Sequence, residues 1–301
     1  MVKARVLDAN ERSSVLTNVG AAQSLAQTMP QLALDAQRIS ASAAAGIHGR
    51  RRVGQGTSFW QYREHGAGEA ATRIDWRRSA RDTQLYVRER EWEAATSMWL
   101  WVDRSPSMAF MSKFAKHSKL EHAVVITLAL ADMLVRGGER TGLHGLTPPQ
   151  ASRKIIERLG EALVLDERSE TQSDMPHSKP IGGREEIILV GDFITDLDSI
   201  KQNIAALAAQ GGRGHLILIR DPVEDIFPFS GETEFEDVQG GVRMHIGDAA
   251  GFATKYKNRI SAHTQGVQMI AESYGWTLTQ HSTDRPASEP VFALMTLLRE
   301  A

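Results

Sequence analysis

The segment 96–108, TSMWLWVDRSPSM, is the strongest indication of fold in this chain of 301 residues. Its first half is a nearly continuous apolar run, which is typical of a strand that is buried on both faces of a parallel sheet. The run ends in a carboxylate, Asp103, and is followed by a loop with two serines, Ser105 and Ser107. A polar loop directly after a buried strand indicates that the functional residues of the protein lie at the end of that strand.

Downstream of this segment, predicted strands alternate with predicted helices to the end of the chain. Apolar runs indicate strands at 140–146, 185–193, 215–222 and 276–283. Apolar residues at helical spacing indicate helices at 119–138, 151–163, 198–210, 248–274 and 288–299. Such alternation predicts a parallel sheet that is covered by helices on both faces. The predicted fold class is therefore α/β, with a doubly wound, mostly parallel, Rossmann-like sheet over residues 96–301.

The residues before this domain divide into two segments of different composition. Residues 1–46 are rich in alanine and leucine and predict a helical segment, with a break at Pro30. Residues 47–95 form an Arg- and Trp-rich segment. Its alternating aromatic and β-branched residues predict strands at 57–65 and 84–91, with a helical turn between them. The sequence thus predicts a helical and β-rich extension before the α/β domain.

The composition excludes several classes of site. The chain has no cysteine, which excludes a disulfide scaffold, a thiol nucleophile, a zinc site built on thiolates and an iron–sulfur cluster. It has no Gly-Lys dipeptide, so it lacks the phosphate-binding loop of nucleotide hydrolases. Its 35 basic and 37 acidic residues give a net charge of −2, which disfavours binding of nucleic acid or membranes through the whole surface.

The near-neutral total charge hides one basic segment. Residues 50–90 contain ten arginines and five acids, a net charge of +5, so the rest of the chain sums to −7. Together with Trp60, Trp76 and Trp92, these arginines resemble a surface that contacts phosphates and stacks on bases. Acids interleave with the arginines, however, and arginine pairs with carboxylates and stacks on tryptophan. We therefore favour a structural or protein-docking role for the segment, with nucleic-acid binding as the alternative.

The loop after the first strand of the α/β domain predicts a metal site. Asp103, Ser105 and Ser107 offer hard oxygen ligands, which magnesium prefers in a near-octahedral shell that usually includes waters. The strand at 185–193 ends in a second carboxylate, Asp192, and the carboxyl ends of parallel strands meet at one edge of a sheet. We therefore predict a site for Mg²⁺ or Mn²⁺ with a position left open for a ligand oxygen. The alternative is that these residues only cap the helix that follows.

Two groups of residues carry a resemblance to known families. The DRSPSM loop after an apolar strand resembles the metal-ion-dependent adhesion site of von Willebrand factor A domains. The preceding segment resembles the signature of a bacterial family, the domain of unknown function fifty-eight. The matching stretches are Phe59 to Arg63, Ile74 to Arg77, Ser79 to Arg81 and Leu85 to Glu89. The resemblance is strong over residues 46–110, extends through the Gly-Asp-Phe at 191–193, and is weaker after that.

This resemblance implies a fold and a partner. The fold would be similar to a von Willebrand factor A domain, and genes of the family typically accompany those of MoxR-type AAA+ ATPases. Family members are thought to act with these ATPases in chaperone-like or metal-insertion roles. The resemblance therefore implies a non-enzymatic bacterial adaptor protein.

The resemblance also implies ligands for the metal. Asp103, Ser105 and Ser107 match the first adhesion-site motif, and Asp192 matches the last. The middle motif is a threonine in a loop between them, for which Thr171 is the first candidate and Thr147 the second. The expected ligand set for Mg²⁺ or Mn²⁺ is Asp103, Ser105, Ser107, Asp192 and Thr171.

An enzymatic alternative uses the same loop. A magnesium-dependent phosphohydrolase would use Asp103 as its nucleophile, with the metal neutralising the phosphoryl oxygens. Haloacid-dehalogenase-type phosphatases place a second Asp two residues later as the general acid, and that position is Ser105 here. We therefore favour an interaction module over an enzyme.

The sequence also predicts where the protein resides. The N-terminus lacks the apolar core of a signal peptide. The most apolar stretch, 123–135, is too short to span a bilayer and is interrupted by Asp132. We therefore expect a cytoplasmic protein without a membrane span.

Overall fold

The computed structural model describes residues 2–6, 18–46, 59–66, 71, 74–90, 96–166, 174–176, 181–182, 185–237 and 243–300. Contacts divide the chain into two compact units. The larger unit comprises residues 1–48 and 96–301 and contains the α/β sheet, and the smaller unit comprises residues 49–95.

The described strands and helices follow the predicted order of the α/β domain. The strands are β1 (Val2–Val6), β2 (Phe59–Glu64), β3 (Tyr86–Arg90), β4 (Ser97–Val102), β5 (Arg140–Leu143), β6 (Glu185–Gly191), β7 (Arg213–Arg220), β8 (Thr233–Asp237), β9 (Arg243–Ile246) and β10 (Thr277–Ser282). The helices are α1 (Asn18–Gly46), α2 (Trp76–Ser79), α3 (Lys119–Arg136), α4 (Ile155–Asp166), α5 (Leu197–Ala208), α6 (Pro222–Ile226), α7 (Ala249–Ser273) and α8 (Ser288–Glu300). Every strand and helix predicted after residue 95 is present to within a few residues.

The central sheet has five parallel strands in the order β10-β7-β6-β4-β5. The chain leaves β4 towards β5 on one side and then crosses back to β6 on the other side. The strand order therefore reverses between β4 and β6, whose residues Trp101 and Leu189 lie opposite each other. The predicted doubly wound, mostly parallel sheet is confirmed, and its switch point lies between β4 and β6.

Both faces of the sheet are covered because alternate residues of each strand face opposite sides. Leu100 of β4 and Ile188 of β6 pack with residues of α1, α3, α4 and α8 in one core. Trp101 and Leu189 pack with residues of α5 and α7 in the other. Full burial of a side chain of this size stabilises the fold by roughly 1.5–3 kcal/mol. The two apolar faces of the strands therefore fix the sheet between two helical layers.

Helix α3 lies between the sheet and α1, and most of its residues are buried. Helix α1 packs on α3 and α4 through buried residues that include Met29 and Leu32. The predicted break at Pro30 is wrong, because Pro30 lies inside α1. Proline removes one backbone hydrogen bond and strains a helix, so the packing of its neighbours outweighs that cost here.

A second sheet belongs to the larger unit and was not expected. Strands β1, β8 and β9 form an antiparallel sheet in the order β1-β8-β9, which places a strand in the segment for which only a helix is predicted. Phe235 of β8 packs in a small core with Phe227 and Ala249. The sequences of β1 and β8, VKARV and TEFED, are short and charged, so they contain no apolar run from which a strand is predicted.

The smaller unit contains an antiparallel pair, β2 and β3, with the short helix α2 between them in the chain. Asp75 caps α2, since its carboxylate accepts a hydrogen bond from the backbone N–H of Arg78 at 3.1 Å. The two strands and the helical turn predicted for this segment are therefore present.

In the residues that the structure describes, no helix combines the length and the hydropathy that a bilayer-spanning segment requires.

Candidate metal centre

The loop after β4 buries three oxygen-bearing side chains together. The N–H of Asp103 donates to the carbonyl of Val190 at 2.8 Å and so continues the pairing of β4 with β6. The Oδ1 of Asp103 accepts a hydrogen bond from the N–H of Ser105 at 2.8 Å, and the Oγ atoms of Ser105 and Ser107 lie 3.0 Å apart. The three residues are 1%, 3% and 7% exposed, respectively. The predicted D-x-S-x-S residues thus form one buried oxygen cluster at the carboxyl edge of the sheet.

Helix capping does not account for this cluster. Pro106–Ala109 form a 3-10 helix with Ser105 at the N-cap position, but the Ser105 side chain makes no capping hydrogen bond. Its hydroxyl contacts that of Ser107 instead. Pro106 stands at the start of the helix, as the capping alternative expects, but the Ser105 side chain does not supply the capping bond.

Strand β6 brings Asp192 to the same edge. A Cβ atom on the preceding residue, Gly191, would lie 2.7 Å from the Cβ of Asp103, so glycine permits the close approach of the two strand ends. The following residue, Phe193, has a φ of +48°, which is costly for a bulky side chain. Its ring is buried, and its carbonyl accepts a hydrogen bond from Nε2 of His263 at 2.7 Å. These contacts fix the direction in which the chain leaves Asp192.

A buried lysine, which the sequence analysis missed, binds Asp192. Lys119 is the first residue of α3 and its side chain is fully buried. Its Nζ donates to Oδ2 of Asp192 at 2.7 Å and to Oε1 of Glu224 at 3.0 Å. The other carboxylate oxygen of Glu224, Oε2, accepts from the N–H of Asp221 at 2.9 Å, at the start of α6. Lys119 therefore joins the end of β6 and the start of α6 to the start of α3.

The electrostatics of these groups favour a cation. Burial, and after it the charge of Asp192, raises the pKa of Asp103 well above its ordinary value, and a cation beside the carboxyl would favour its charged form. Burial lowers the pKa of Lys119, but the carboxylates of Asp192 and Glu224 outweigh this effect and raise it above its ordinary value. Lys119 is therefore charged at neutral pH.

The charges of the cluster match a divalent ion. When Asp103, Asp192, Glu224 and Lys119 are all ionised, three negative charges and one positive charge leave a net charge of −2. No three side chains from His, Asp and Glu converge as metal ligands in the described residues. A cation here would therefore rely on the carboxylate of Asp103 and the serine hydroxyls, with waters or an external oxygen for the rest of its shell. A ligand shell that combines these protein oxygens with waters suits Mg²⁺ or Mn²⁺.

Of the two candidates for the middle threonine, the structure describes Thr147. Thr171 lies outside the described residues. Thr147 lies in the turn after β5, where its Oγ1 accepts a hydrogen bond from the N–H of Leu143 at 2.9 Å. The charge of Asp174 acts on Asp103, and its carboxylate accepts from the hydroxyl of Thr195, in the loop after β6, at 3.2 Å. Asp174 is thus close to the candidate site.

Lys119 and Glu224 had no sequence signal that pointed to a site. Each belongs to the start of a helix, and the patterns around them, Ser118 to Glu121 and Asp221 to Glu224, predict only capping boxes. Both capping boxes are formed. The parallel sheet brings these two helix starts to the same edge as Asp103 and Asp192, which no local pattern reveals.

In the described part of the smaller unit, Arg78 contacts side chains of the same unit. Arg78 lies over the ring of Tyr86 at 4.6 Å from its centre, and its guanidinium is 3.6 Å from the carboxylate of Asp82. The hydroxyl of Tyr86 donates to Asp82 at 3.0 Å. Trp76 is 60% exposed, so it does not belong to a core within this unit. These contacts agree with a structural role for Arg78, and nucleic-acid binding stays an untested alternative.

Comparisons with known proteins identify relatives of the chain. The family described as "Protein of unknown function DUF58" matches residues 61–266, a range that includes Asp103, Asp192 and Glu224. The uncharacterized protein Rv1480 of Mycobacterium tuberculosis is 23% identical over 252 residues, which are 77% of this chain and 76% of that protein. The uncharacterized protein Mb1516 of Mycobacterium bovis matches with the same identity and coverage.

Two solved structures are also similar. The conserved hypothetical protein BatB of Bacteroides thetaiotaomicron matches with a TM-score of 0.40 and 16% identity, over 69% of this chain and 100% of that chain. The VWA domain of SpRpn10 matches with a TM-score of 0.33 and 8% identity, over 66% of this chain and 94% of that chain.

Proposed function

The chain belongs to the DUF58 family, and we propose that it is a protein-interaction module whose binding depends on a divalent cation at Asp103, Ser105 and Ser107. One observation carries this proposal: these side chains are buried together beside Asp192, at the switch point of a doubly wound sheet. Ligands of such sheets bind at this edge, beyond the carboxyl ends of the strands.

The chain's own residues would each have a defined role. Asp103 and the two serine hydroxyls would hold Mg²⁺ or Mn²⁺, and Asp192 would orient a bound water through its carboxylate. When bound, the cation supplies a position that accepts one oxygen from a partner, for which an acidic side chain is the best match. The burial of the cluster excludes bulk water and so strengthens this contact.

Two features support binding rather than catalysis. The residue two positions after Asp103 is Ser105, whose hydroxyl cannot act as the carboxylic acid that a phosphohydrolase of this kind needs. The buried cation nearest to Asp192, Lys119, is bound to two carboxylates and is fully buried, so it does not face an incoming phosphoryl group. These features support the proposal of a binding function over a catalytic one.

As the partner we propose a MoxR-type AAA+ ATPase, for which this chain would act as an adaptor in the bacterial cytoplasm. The resemblance of residues 46–110 to the family signature supports this partner. The absence of a Gly-Lys dipeptide in the sequence agrees with a chain that leaves ATP hydrolysis to another protein.

A binding measurement with purified proteins tests the proposal. The chain and a MoxR-type ATPase from the same organism are mixed in Mg²⁺ or in EDTA, and the affinity is measured for the wild type, for Asp103→Asn and for a control, Asp198→Asn. Asp198 is an exposed acid in the first turn of α5, so its loss should leave binding unchanged. We expect binding in Mg²⁺ only, and at least a tenfold loss for Asp103→Asn.

Two outcomes would contradict the proposal. Equal binding in EDTA, or unchanged binding by Asp103→Asn, would remove the cation from the interaction. Mg²⁺-dependent release of phosphate from a generic phosphate ester, lost in Asp103→Asn, would establish the phosphohydrolase instead.

A further inference from the structure

We propose that Lys119 is a counter-cation within the proposed metal site. Its charge holds Asp192 and Glu224 in place without a metal and limits how tightly a divalent ion binds. This inference rests on the proposed cation site and identifies a residue that regulates it. Lysine is rarely fully buried in proteins unless it is paired, and here the side chain is 0% exposed. Its contact with Asp192 therefore calls for a specific explanation.

The contacts of Lys119 show what it holds. Its ammonium lies 2.7 Å from Oδ2 of Asp192 and 3.0 Å from Oε1 of Glu224. Asp192 directly follows β6, Glu224 belongs to the short helix α6 after β7, and the lysine belongs to the start of α3. Like charges on these two segments repel each other in a buried site, so the ammonium between them fixes both.

The same contact limits what Asp192 offers to a cation. Its Oδ2 is bound to Lys119, and its Oδ1 accepts a long hydrogen bond, 3.3 Å, from the N–H of Ile194 within the described part of the chain. One carboxylate oxygen of Asp192 is thus committed and the other is weakly held. Asp192 therefore has one oxygen for a bound water, and the other remains with the lysine.

The charge of Lys119 also sets the attraction for the ion. With Lys119 present, the ionised cluster of Asp103, Asp192, Glu224 and Lys119 has a net charge of −2, and without it the net charge is −3. A positive charge in a buried site repels a divalent cation strongly, because the surrounding medium screens it poorly. Removal of this charge should therefore tighten the binding of Mn²⁺ by about tenfold or more.

A purely structural lysine predicts the opposite result. If Lys119 only positions Asp192, its removal lets Asp192 move away, and the affinity for Mn²⁺ falls or stays the same. The direction of the change in affinity therefore separates the two roles.

The experiment measures Mn²⁺ binding by calorimetry and by the rise in melting temperature, for the wild type, Lys119→Met, Asp103→Asn and Lys113→Met. Lys113 is an exposed lysine six residues away in the chain, so Lys113→Met makes the same change in total charge outside the buried cluster. We expect Lys119→Met to bind Mn²⁺ about tenfold more tightly than the wild type. We expect Lys113→Met to differ from the wild type by less than about twofold, because solvent screens an exposed charge.

The other outcomes contradict either the counter-cation role of Lys119 or the proposed cation site as well. Binding by the wild type with equal or weaker binding by Lys119→Met overturns the counter-cation role and leaves the proposed cation site standing. No binding by either protein overturns both. Should Lys119→Met fail to fold, Glu224→Gln replaces it. This variant makes the cluster less negative and should weaken Mn²⁺ binding about tenfold, and an unchanged affinity would overturn the inference.

Discussion

The first turn of α3 buries two polar side chains in two different ways. Lys119 lies beside the candidate metal centre and is paired with two carboxylates. His122, three residues later, lies towards β10, where its Nδ1 is 3.3 Å from Nε2 of His281. Both histidines are buried, and burial lowers the pKa of each to about 4. One end of the sheet edge therefore stabilises a charged group, and the other keeps its groups neutral.

This difference shows what makes the β4–β6 end suited to a cation. A buried titratable group is tolerated when it is paired with an opposite charge or when it stays neutral. At the β4–β6 end the carboxylates outnumber the lysine, so negative charge remains for a cation to balance. At the β10 end two neutral histidines satisfy each other, and no such charge remains between them. Substitutions at the two ends of the edge test this contrast.

Lys119→Met should destabilise the metal-free protein by about 3–5 kcal/mol, because it leaves two buried carboxylates without a partner. His122→Leu should cost only about 1 kcal/mol, since it removes one neutral hydrogen bond. The free energy of unfolding is measured in urea with EDTA present. Equal losses in the free energy of unfolding for the two variants would show that the paired lysine and the neutral histidine contribute equally to stability.

Gly191→Ala should destabilise the protein by about 1–3 kcal/mol, as overpacking does in a close-packed interior. The added methyl group would lie 2.7 Å from the Cβ of Asp103 and push apart the ends of β4 and β6. Gly247→Ala is the matched control, because a Cβ there meets no atom within 4 Å. Urea unfolding of both variants measures the effect, and a loss below about 0.5 kcal/mol for Gly191→Ala would mean that the strand ends yield easily.

The histidine pair should make the protein less stable in acid. Because the pKa of each histidine is lowered from 6.5 to about 4 on folding, its contribution to stability is present above pH 6.5 and is lost as the pH falls from 6.5 to 4. The charged groups that act on the pair are His117, Asp284 and Arg285. Wild-type stability should therefore fall across this range.

The variant His281→Gln tests the source of this pH dependence. It should cost about 1 kcal/mol at pH 7, because a weaker hydrogen bond replaces the contact with His122. It should also remove about half of the loss between pH 6.5 and 4, since only one of the two histidines is left to titrate. Urea unfolding at a series of pH values measures both effects. A pH profile identical to that of the wild type would rule out His281 as a source.

Arg38→Gln measures the contribution of an exposed ion pair, for comparison with the buried pairs of Lys119. The guanidinium of Arg38 lies 3.2 Å from Asp35 on α1, and its side chain is 74% exposed. Exposed pairs of this kind contribute about 0–1 kcal/mol, so thermal unfolding should show a change of less than about 0.5 kcal/mol. A loss comparable to that of Lys119→Met would show that burial is not what distinguishes the lysine.

The sequence predicted the strands and helices of the α/β domain because their patterns are long and strong. The run before Asp103 and the run before Asp192 are buried on both faces, and helix α3 begins and ends with clear capping signals. The predictions from sequence were wrong where tertiary packing outweighed the local preference of the chain. Pro30 stays inside α1 because α3 and α4 hold the helix, and β1 is a strand because β8 pairs with it.

Sequence alone determined the candidate ligands Asp103, Ser105, Ser107 and Asp192, because the end of a buried strand and a polar loop are local patterns. It also determined the parallel sheet, since alternating apolar strands and helices pack stably in few other ways. That Lys119 joins Asp192 to Glu224 follows from the three-dimensional packing and not from any local pattern. The side chains of Lys119 and Glu224 belong to helix starts that are distant in the chain, and the strand order brings them to one edge, where burial makes a charge depend on its neighbours.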